Sequence, residues 1–320
     1  MVARTLALFT LAGTEDYAKR MSIQLETPIS LVEERSFEDG EHKIRPLVTV
    51  EGIDAYVIHA LYGDETHSVN DKLCRLLFLI AALKDHGAAR VTAVTPYLCY
   101  ARKDRRTQLY DPVTSRYVAA LFEAMHTDRV SAVEVHNVAA FENAFSCPTQ
   151  HIETAELFAS HFAPLARDNQ IVVVSPDAGG VKRAEQFRRA LEGKSGQTID
   201  NAFVEKYRSG GVVTGGALVG SLEGKTAIIL DDLISTGTTL LRAAKACRAA
   251  GAVRVYAAAT HGLFIGKAAE MMKDPLLDGL VVTDTVPPFR LDARSRGGKL
   301  IVLDSTRLVA EAVNDLRSHA

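Results

Sequence analysis

In the stretch AIILDDLISTGTTL (227–240), a block of apolar residues runs into two adjacent acids and then into a hydroxyl-rich loop. The loop Ser235-Thr236-Gly237-Thr238-Thr239 opens a helical pattern, and a helix start offers unpaired backbone N–H groups and the positive end of its dipole. With its hydroxyl donors added, such a loop can seat a phosphate monoester. Gly237 lets the backbone come close to the anion. Asp231 and Asp232 would repel a phosphate, but carboxylates accept hydrogen bonds from a vicinal diol. A ligand with a phosphate at one end and a diol at the other is a sugar phosphate. Read alone, the same residues are also explained by a solvated strand end followed by an ordinary N-cap.

Two other clusters could do chemistry on phosphates. Arg102, Lys103, Asp104, Arg105 and Arg106 set four cations around one acid directly after a strand pattern. That is either a solvated basic turn or a set of guanidinium forks for triphosphate oxygens. Lys206 and Arg208, in VEKYRSGGVVTGG, precede a Gly-rich stretch that reads as a basic surface loop or as a lid bringing two cations to a transferring phosphoryl group. No GxxxxGK[ST] and no strand-linked GxGxxG occurs, which sets aside Walker-type and Rossmann-type nucleotide loops.

The elements that must position these residues are legible as repeats. HGAARVTAVTPY (86–97), MHTDRVSAVEVH (125–136) and AAGAVRVYAAATH (249–261) each pass from a helix-like stretch through a turn and an Arg-Val pair into a strand with a polar end. Recurrent helix–turn–strand units imply a mostly parallel sheet with helices on both faces. IVVVSPDAGG (171–180) and TAIILDD (226–232) are continuously apolar, as strands covered on both faces should be, and each ends in acids followed by Gly or Thr. Carboxyl ends of such strands are where open α/β sheets bind ligands. Helices are expected near 69–86, 113–125, 154–163, 180–192, 238–250, 266–273 and 305–318. The first and third repeats lie in equivalent contexts, so two similar domains are expected, 1–150 and 151–320, joined at SCPTQ (146–150).

Composition narrows the class further. A chain of 320 residues with 47% apolar and 24% charged residues is a globular chain with room for two cores. A formal net charge of −2 gives no general pull toward nucleic acid or anionic lipid, so any polyanion site must be local. No apolar run reaches the roughly 18 residues of a membrane span, and MVARTLALFTLAGTEDYAKR reads as a first core strand rather than a signal sequence. Cys74, Cys99, Cys147 and Cys247 form no CxxC pair and are expected as reduced thiols in a cytoplasmic protein.

ILDDLISTGTTL resembles the phosphoribosyl-pyrophosphate (PRPP) motif shared by type I phosphoribosyltransferases and ribose-phosphate pyrophosphokinases. SFEDGEHKIRP (36–46) and TPYLCYARKDRR (95–106) resemble segments of the pyrophosphokinases alone, and SPDAGGVKRA (175–184), EKYR (205–208), THGLF (260–264) and VVTDTVP (281–287) match in the family's order. The resemblance implies two type I phosphoribosyltransferase-like α/β domains and transfer of the β,γ-diphosphoryl group of Mg-ATP to the C1 hydroxyl of ribose 5-phosphate. By matched position it assigns Phe37, Asp39, Glu41, Arg102, Asp104 and Arg105 to ATP, and Asp231, Asp232 and Ser235 to Thr239 to ribose 5-phosphate. Lys206 and Arg208 take the catalytic positions, and His136 and Asp177 those near Mg²⁺. It also implies a homo-oligomer in which the Phe37 segment serves a neighbouring subunit. Glu134 stands where the family carries Asp, and NVAAFENAF (137–145) replaces a glutamine-rich continuation. A PRPP-consuming transferase and a catalytically silent synthetase-like subunit are the alternatives to this reading.

Overall fold

The computed structural model describes residues 5–209, 212–296 and 298–318; the side chains of 206–209, 212–217, 294 and 295 are outside that description. The chain forms two compact units, Met1–Ile152 with Thr306–Ala320, and Glu153–Ser305.

The first unit contains β1 (Leu6–Thr10), α1 (Glu15–Gln24), β2 (Val32–Ser36), β3 (His42–Pro46), β4 (Asp54–Ile58) and α2 (Val69–Asp85). It continues with β5 (Arg90–Thr95), α3 (Thr114–Ala124), β6 (Arg129–Val133), α4 (Val138–Ala144) and β7 (Thr149–Ile152). The second unit contains α5 (Ala155–Asp168), β8 (Ile171–Ser175), α6 (Val181–Ser195), β9 (Asp200–Ser209), β10 (Val212–Val219), β11 (Thr226–Ile234) and α7 (Thr238–Ala249). It ends with β12 (Arg254–Gly262), α8 (Ala268–Met271), β13 (Gly279–Thr283), α9 (Ala293–Arg296) and β14 (Leu300–Leu303), after which α10 (Thr306–Ser318) joins the first unit.

Successive strand residues feed opposite cores, as the period of two requires. In the first unit Phe9, Val57, Val91 and Ala93 enter a core with α2, α3 and α4, whereas Leu8, Tyr56, Ile58 and Val94 enter one with α1 and α10. In the second, Val172, Val174, Ala227 and Ile229 pack toward α7 and α8, and Ile171, Val173, Ile228 and Leu230 toward α5 and α6. This two-sided burial is why IVVVS and AIIL carry no polar residue in their middles.

Both sheets follow one plan. The first has the order β1-β4-β5-β6-β7, all parallel; the second has β8-β11-β12-β13-β14, all parallel, extended beyond β8 by β9 and the antiparallel β10. A shared polar device fixes the correspondence. Asp128, just before β6, accepts from Val91 N at 2.7 Å and Lys84 Nζ at 2.9 Å; Asp278, just before β13, accepts from Val255 N and Arg248 Nη2, both at 2.6 Å. Helix α2 therefore stands to β4 as α7 stands to β11.

The sequence reading differs from this fold in three places. The expected second domain ran to 320, but Val309, Ala310 and Val313 of α10 pack with Leu8 and Tyr56, and Gln150 Nε2 donates to the Ala312 carbonyl at 3.1 Å. SCPTQ is not a free link, since Val130 N donates to Pro148 O at 3.1 Å and β7 begins at Thr149. Helices α1 and α4 were not anticipated; α1 buries only Tyr17, Ala18 and Met21 of its ten residues.

His59, at the carboxyl end of β4, is fully buried, with Nδ1 3.0 Å from Thr14 Oγ1. Burial, then the positive charge of Lys72, pushes its imidazole down to about 3 from an ordinary 6.5. The unfolded chain therefore takes up a proton near pH 6.5 that the folded chain refuses until about pH 3. Folding stability should fall as pH drops through that window, by at most about 1.4 kcal/mol per pH unit from this group. Urea midpoints of the wild type and His59→Gln, followed from about pH 7 to 4.5, should show a shallower pH dependence in the variant; equal slopes would mean His59 titrates normally.

Candidate active site

The acid pair lies inside β11, not at its end. Asp231 pairs with Ala259 and Leu233 with His261 on β12, so the strand expected to stop at Asp232 continues to Ile234 because its ladder to β12 does. Asp232 is 4% exposed, and Arg183 Nη1, from the first turn of α6, lies 3.9 Å from its Oδ1. Its backbone N–H donates to Asp231 Oδ1 at 2.9 Å. Burial first, and the neighbouring Asp232 second, holds the Asp231 carboxyl well above the usual carboxylate range. Two carboxyls this close, one of them buried, repel each other with little screening.

The loop after β11 turns sharply into α7. Leu263 N donates to Ile234 O at 2.9 Å and Ile265 N to Ser235 O at 3.0 Å, which clamps the loop against the segment following β12. Gly237 caps α7 with φ of 81°, and Thr236 Oγ1 lies 3.0 Å from Thr238 Oγ1. No side chain caps this helix and its first turn holds no acid. Two other ligand-end turns are tied by side chains of their own. Ser68 and Asp71 form a reciprocal capping box on α2. Asp177 Oδ1 accepts from Gly179 N at 3.0 Å and Gly180 N at 3.2 Å in the turn before α6. Helix α7, like α6 and unlike α2, has no side-chain cap and no acid in its first turn, so its first N–H groups are open to an outside anion.

Next to this loop, Thr260, Thr283 and Thr285 join the ends of β12 and β13: Thr283 Oγ1 donates to Thr260 O at 2.8 Å, and His261 Nδ1 lies 2.8 Å from Thr285 Oγ1. These residues belong to THGLF and VVTDTVP, and the structure gives those segments a bracing role behind the loop. Arg183 was not singled out from sequence, although it sits in SPDAGGVKRA; nothing in its spacing reveals a partner on β11.

Lys206 and Arg208 lie on β9, opposite Gly216 and Val213 of β10, so EKYR continues a strand instead of following one. Their side chains are outside the described residues, as are Gly210 and Gly211 of the following stretch.

In the first unit, Phe37 to Glu41 form the tip of the β2–β3 hairpin. Phe37 N donates to Glu41 O at 2.8 Å, Gly40 turns the chain with φ of 91°, and Asp39 Oδ1 accepts from Glu41 N at 3.0 Å. Phe37 is 37% exposed, with Arg35 Cζ 5.1 Å from its ring centroid. Arg102 and Arg105 are exposed, and Asp104 Oδ2 accepts from Asn137 Nδ2 at 2.6 Å, which joins the basic loop to the segment after β6. His136 is exposed three residues beyond β6, not at its end as expected; the strand stops at Val133, and Glu134 takes a positive φ of 41°. Among the described residues no three His, Cys, Asp or Glu side chains gather to hold a metal ion by themselves.

Comparison with known proteins gives a consistent picture. The family model described as the N-terminal domain of ribose phosphate pyrophosphokinase matches residues 6–125, and that of the phosphoribosyl synthetase-associated domain matches residues 213–319. A ribose-phosphate pyrophosphokinase of Caldanaerobacter subterraneus is 34% identical over 316 residues, covering 98% of this chain and 95% of that protein. One from Vibrio parahaemolyticus is 34% identical over 310 residues, covering 96% and 95%. The crystal structure of phosphoribosylpyrophosphate synthetase from Mycobacterium smegmatis superimposes with a TM-score of 0.88 at 30% identity, covering 99% of this chain and 100% of that one.

A Cβ at residue 237 would run into Met271 Sδ, and the positive φ is itself strained for any other residue. Gly237→Ala should cost roughly 1–3 kcal/mol of stability and weaken binding of a sugar phosphate at the α7 start. Isothermal titration alongside urea denaturation checks this, and wild-type values for both would show that the loop relaxes freely.

Proposed function

The chain belongs to the ribose-phosphate pyrophosphokinase family, and we infer from this that it transfers the β,γ-diphosphoryl group of ATP to the C1 hydroxyl of ribose 5-phosphate, giving PRPP and AMP. The observation that carries the site reading is the uncapped start of α7 a few residues after a half-buried and a buried acid, Asp231 and Asp232. The 5-phosphate sits on the N–H groups and hydroxyls of Ser235, Thr236, Gly237, Thr238 and Thr239. Carboxylates accept hydrogen bonds from a vicinal diol, so Asp231 and Asp232 take the ribose hydroxyls, with Arg183 beside Asp232.

The C1 oxygen attacks the β-phosphorus, the bond from that phosphorus to the bridging α,β-oxygen breaks, and AMP leaves with the bond electrons. The C1 hydroxyl proton passes to solvent. This chemistry asks for positioning and charge neutralisation more than for covalent help. Lys206 and Arg208 bring cations to the transferring group, while Arg102 and Arg105 hold the ATP phosphates as planar donors. Asp104 steadies that loop through Asn137. Phe37 stacks on the adenine, and Asp39 and Glu41 accept from its amino group.

The Asp177 carboxylate is the kind of oxygen donor that Mg²⁺ takes, and the His136 imidazole would act through one of the waters that the ion keeps. When bound it neutralises charge on the diphosphoryl group. The hairpin tip projects Phe37, and the β3 residue His42 stacks on exposed Phe78 of α2 at 5.2 Å, an apolar surface that supports assembly into a homo-oligomer with Phe37 serving a neighbouring copy. No described helix is long and apolar enough to cross a membrane; a cytoplasmic location fits the reduced cysteines and the nucleotide substrate.

Incubation with ATP, Mg²⁺ and ribose 5-phosphate, without any nucleobase, should yield AMP and PRPP in equal amounts. A chain that makes no AMP would sink this reading in favour of a PRPP-consuming transferase or a silent subunit. Lys206→Ala should lower kcat by roughly 100-fold or more with little change in either KM; unchanged turnover would remove Lys206 from the mechanism.

A further inference from the structure

The five charged residues Arg102 to Arg106 are not equivalent in the folded chain. Lys103 Nζ lies 2.5 Å from Asp111 Oδ2 and 3.3 Å from Thr107 Oγ1, and Arg106 Nε donates to the Asp111 carbonyl at 3.2 Å. Asp104 is taken by Asn137. Arg102 and Arg105 are exposed and, among the described residues, make no hydrogen bond or ion pair.

One oxygen organises this sorting. Asp111 Oδ2 accepts from Lys103 Nζ, from Thr107 N at 2.9 Å, from Thr107 Oγ1 at 2.7 Å and from Gln108 N at 3.0 Å. The Lys103 carbonyl in turn accepts from Ser115 N, in the first turn of α3, at 3.2 Å. The hydrogen bond from Lys103, followed by those from Thr107, holds the Asp111 carboxyl well below the usual range, so it is ionised at every working pH. A loop carrying several like charges resists order by itself, and a triphosphate gains most from donors already fixed in place. Tying Lys103 inward also removes a mobile point charge from the exposed set and leaves two guanidinium forks.

We propose that Asp111 is a positioning residue for the ATP site: by drawing in Lys103, Thr107 and Gln108 it sets the loop so that Arg102 and Arg105 face the triphosphate. This rests on the reading that the chain uses ATP. Asp111 touches no substrate; its effect travels through the loop.

The test compares wild type, Asp111→Ala, Asp111→Asn, Lys103→Met and the double variant Asp111→Ala/Lys103→Met by AMP formation. Asp111→Ala should raise the KM for ATP about tenfold or more while kcat and the KM for ribose 5-phosphate stay within about twofold. Asp111→Asn, which keeps an oxygen for Thr107 N and Gln108 N, should fall between wild type and Ala. The double variant should be no worse than Asp111→Ala, because both changes break one contact. An unchanged KM for ATP in both Asp111 variants overturns the proposal, and so does an equal loss in kcat and both KM values. Should Asp111→Ala fail to fold, Asp111→Asn and Lys103→Met carry the same comparison. Wild-type AMP formation with unaffected variants sinks only the role of Asp111. If the wild type makes no AMP, the functional reading fails, and equilibrium dialysis with a non-hydrolysable ATP analogue still decides whether the variants lose affinity.

Discussion

Along β4 and β8 no residue reaches solvent, because successive side chains enter two different apolar cores. A strand covered on both faces cannot carry an unpaired polar group in its middle. Polar chemistry is therefore pushed to the strand ends, and among these the carboxyl ends open into helix starts whose N–H groups have no partner within the helix. The sites in this chain follow from that constraint. Asp177, the Asp231–Thr239 stretch and the Thr260–Thr285 bracing all sit where apolar strands run out, and His59 and Asp64 do so in the first unit.

Two units built on one plan could have carried two phosphate seats, and the helix starts show why they differ. At α2 the turn is filled by the chain's own groups. Ser68 and Asp71 cap it, and Asp64 Oδ1 accepts from Thr66 N at 2.9 Å and His67 N at 2.8 Å. Asp64 Oδ2 pairs with fully buried Lys72 at 2.6 Å. At α7 Gly237 supplies no oxygen and no acid follows. Forgoing a side-chain cap costs roughly 1 kcal/mol of helix stability, a cost that a bound phosphate offsets with a full charge. Helix α2 is closed by the chain's own side chains, and α7 is not.

What could be read from the residues tracks these same forces. IVVVS and AIIL announce themselves because two-sided burial demands an unbroken apolar run, and the Arg-Val openings of β5, β6 and β12 repeat because each begins a strand of the same kind. Helix α1 is hidden because EDYAKRMSIQ turns so little surface inward, and the return of α10 to the first unit is hidden because chain order does not encode which sheet a terminal helix covers. The helix start after the Ser235–Thr239 loop was legible from residue types alone. Arg183 beside Asp232 and the buried His59 were not, since one depends on a contact between elements distant in sequence and the other on a burial that its neighbours do not announce; Asp111 beside Lys103 was not, because it depends on how their own loop folds back.

The adjacent acids show most clearly what the fold adds to the motif. At a solvated strand end Asp231 and Asp232 would both be ionised and would repel each other weakly. Set inside β11, with the ladder to β12 continuing past them, they are partly or wholly withdrawn from water, and their repulsion is no longer screened. Burial first and the neighbouring Asp232 second raise the Asp231 carboxyl well above the usual carboxylate range, while Arg183 lies 3.9 Å from Asp232. The extra residues of strand therefore keep Asp232 out of water and beside Arg183, a setting that the motif alone does not announce.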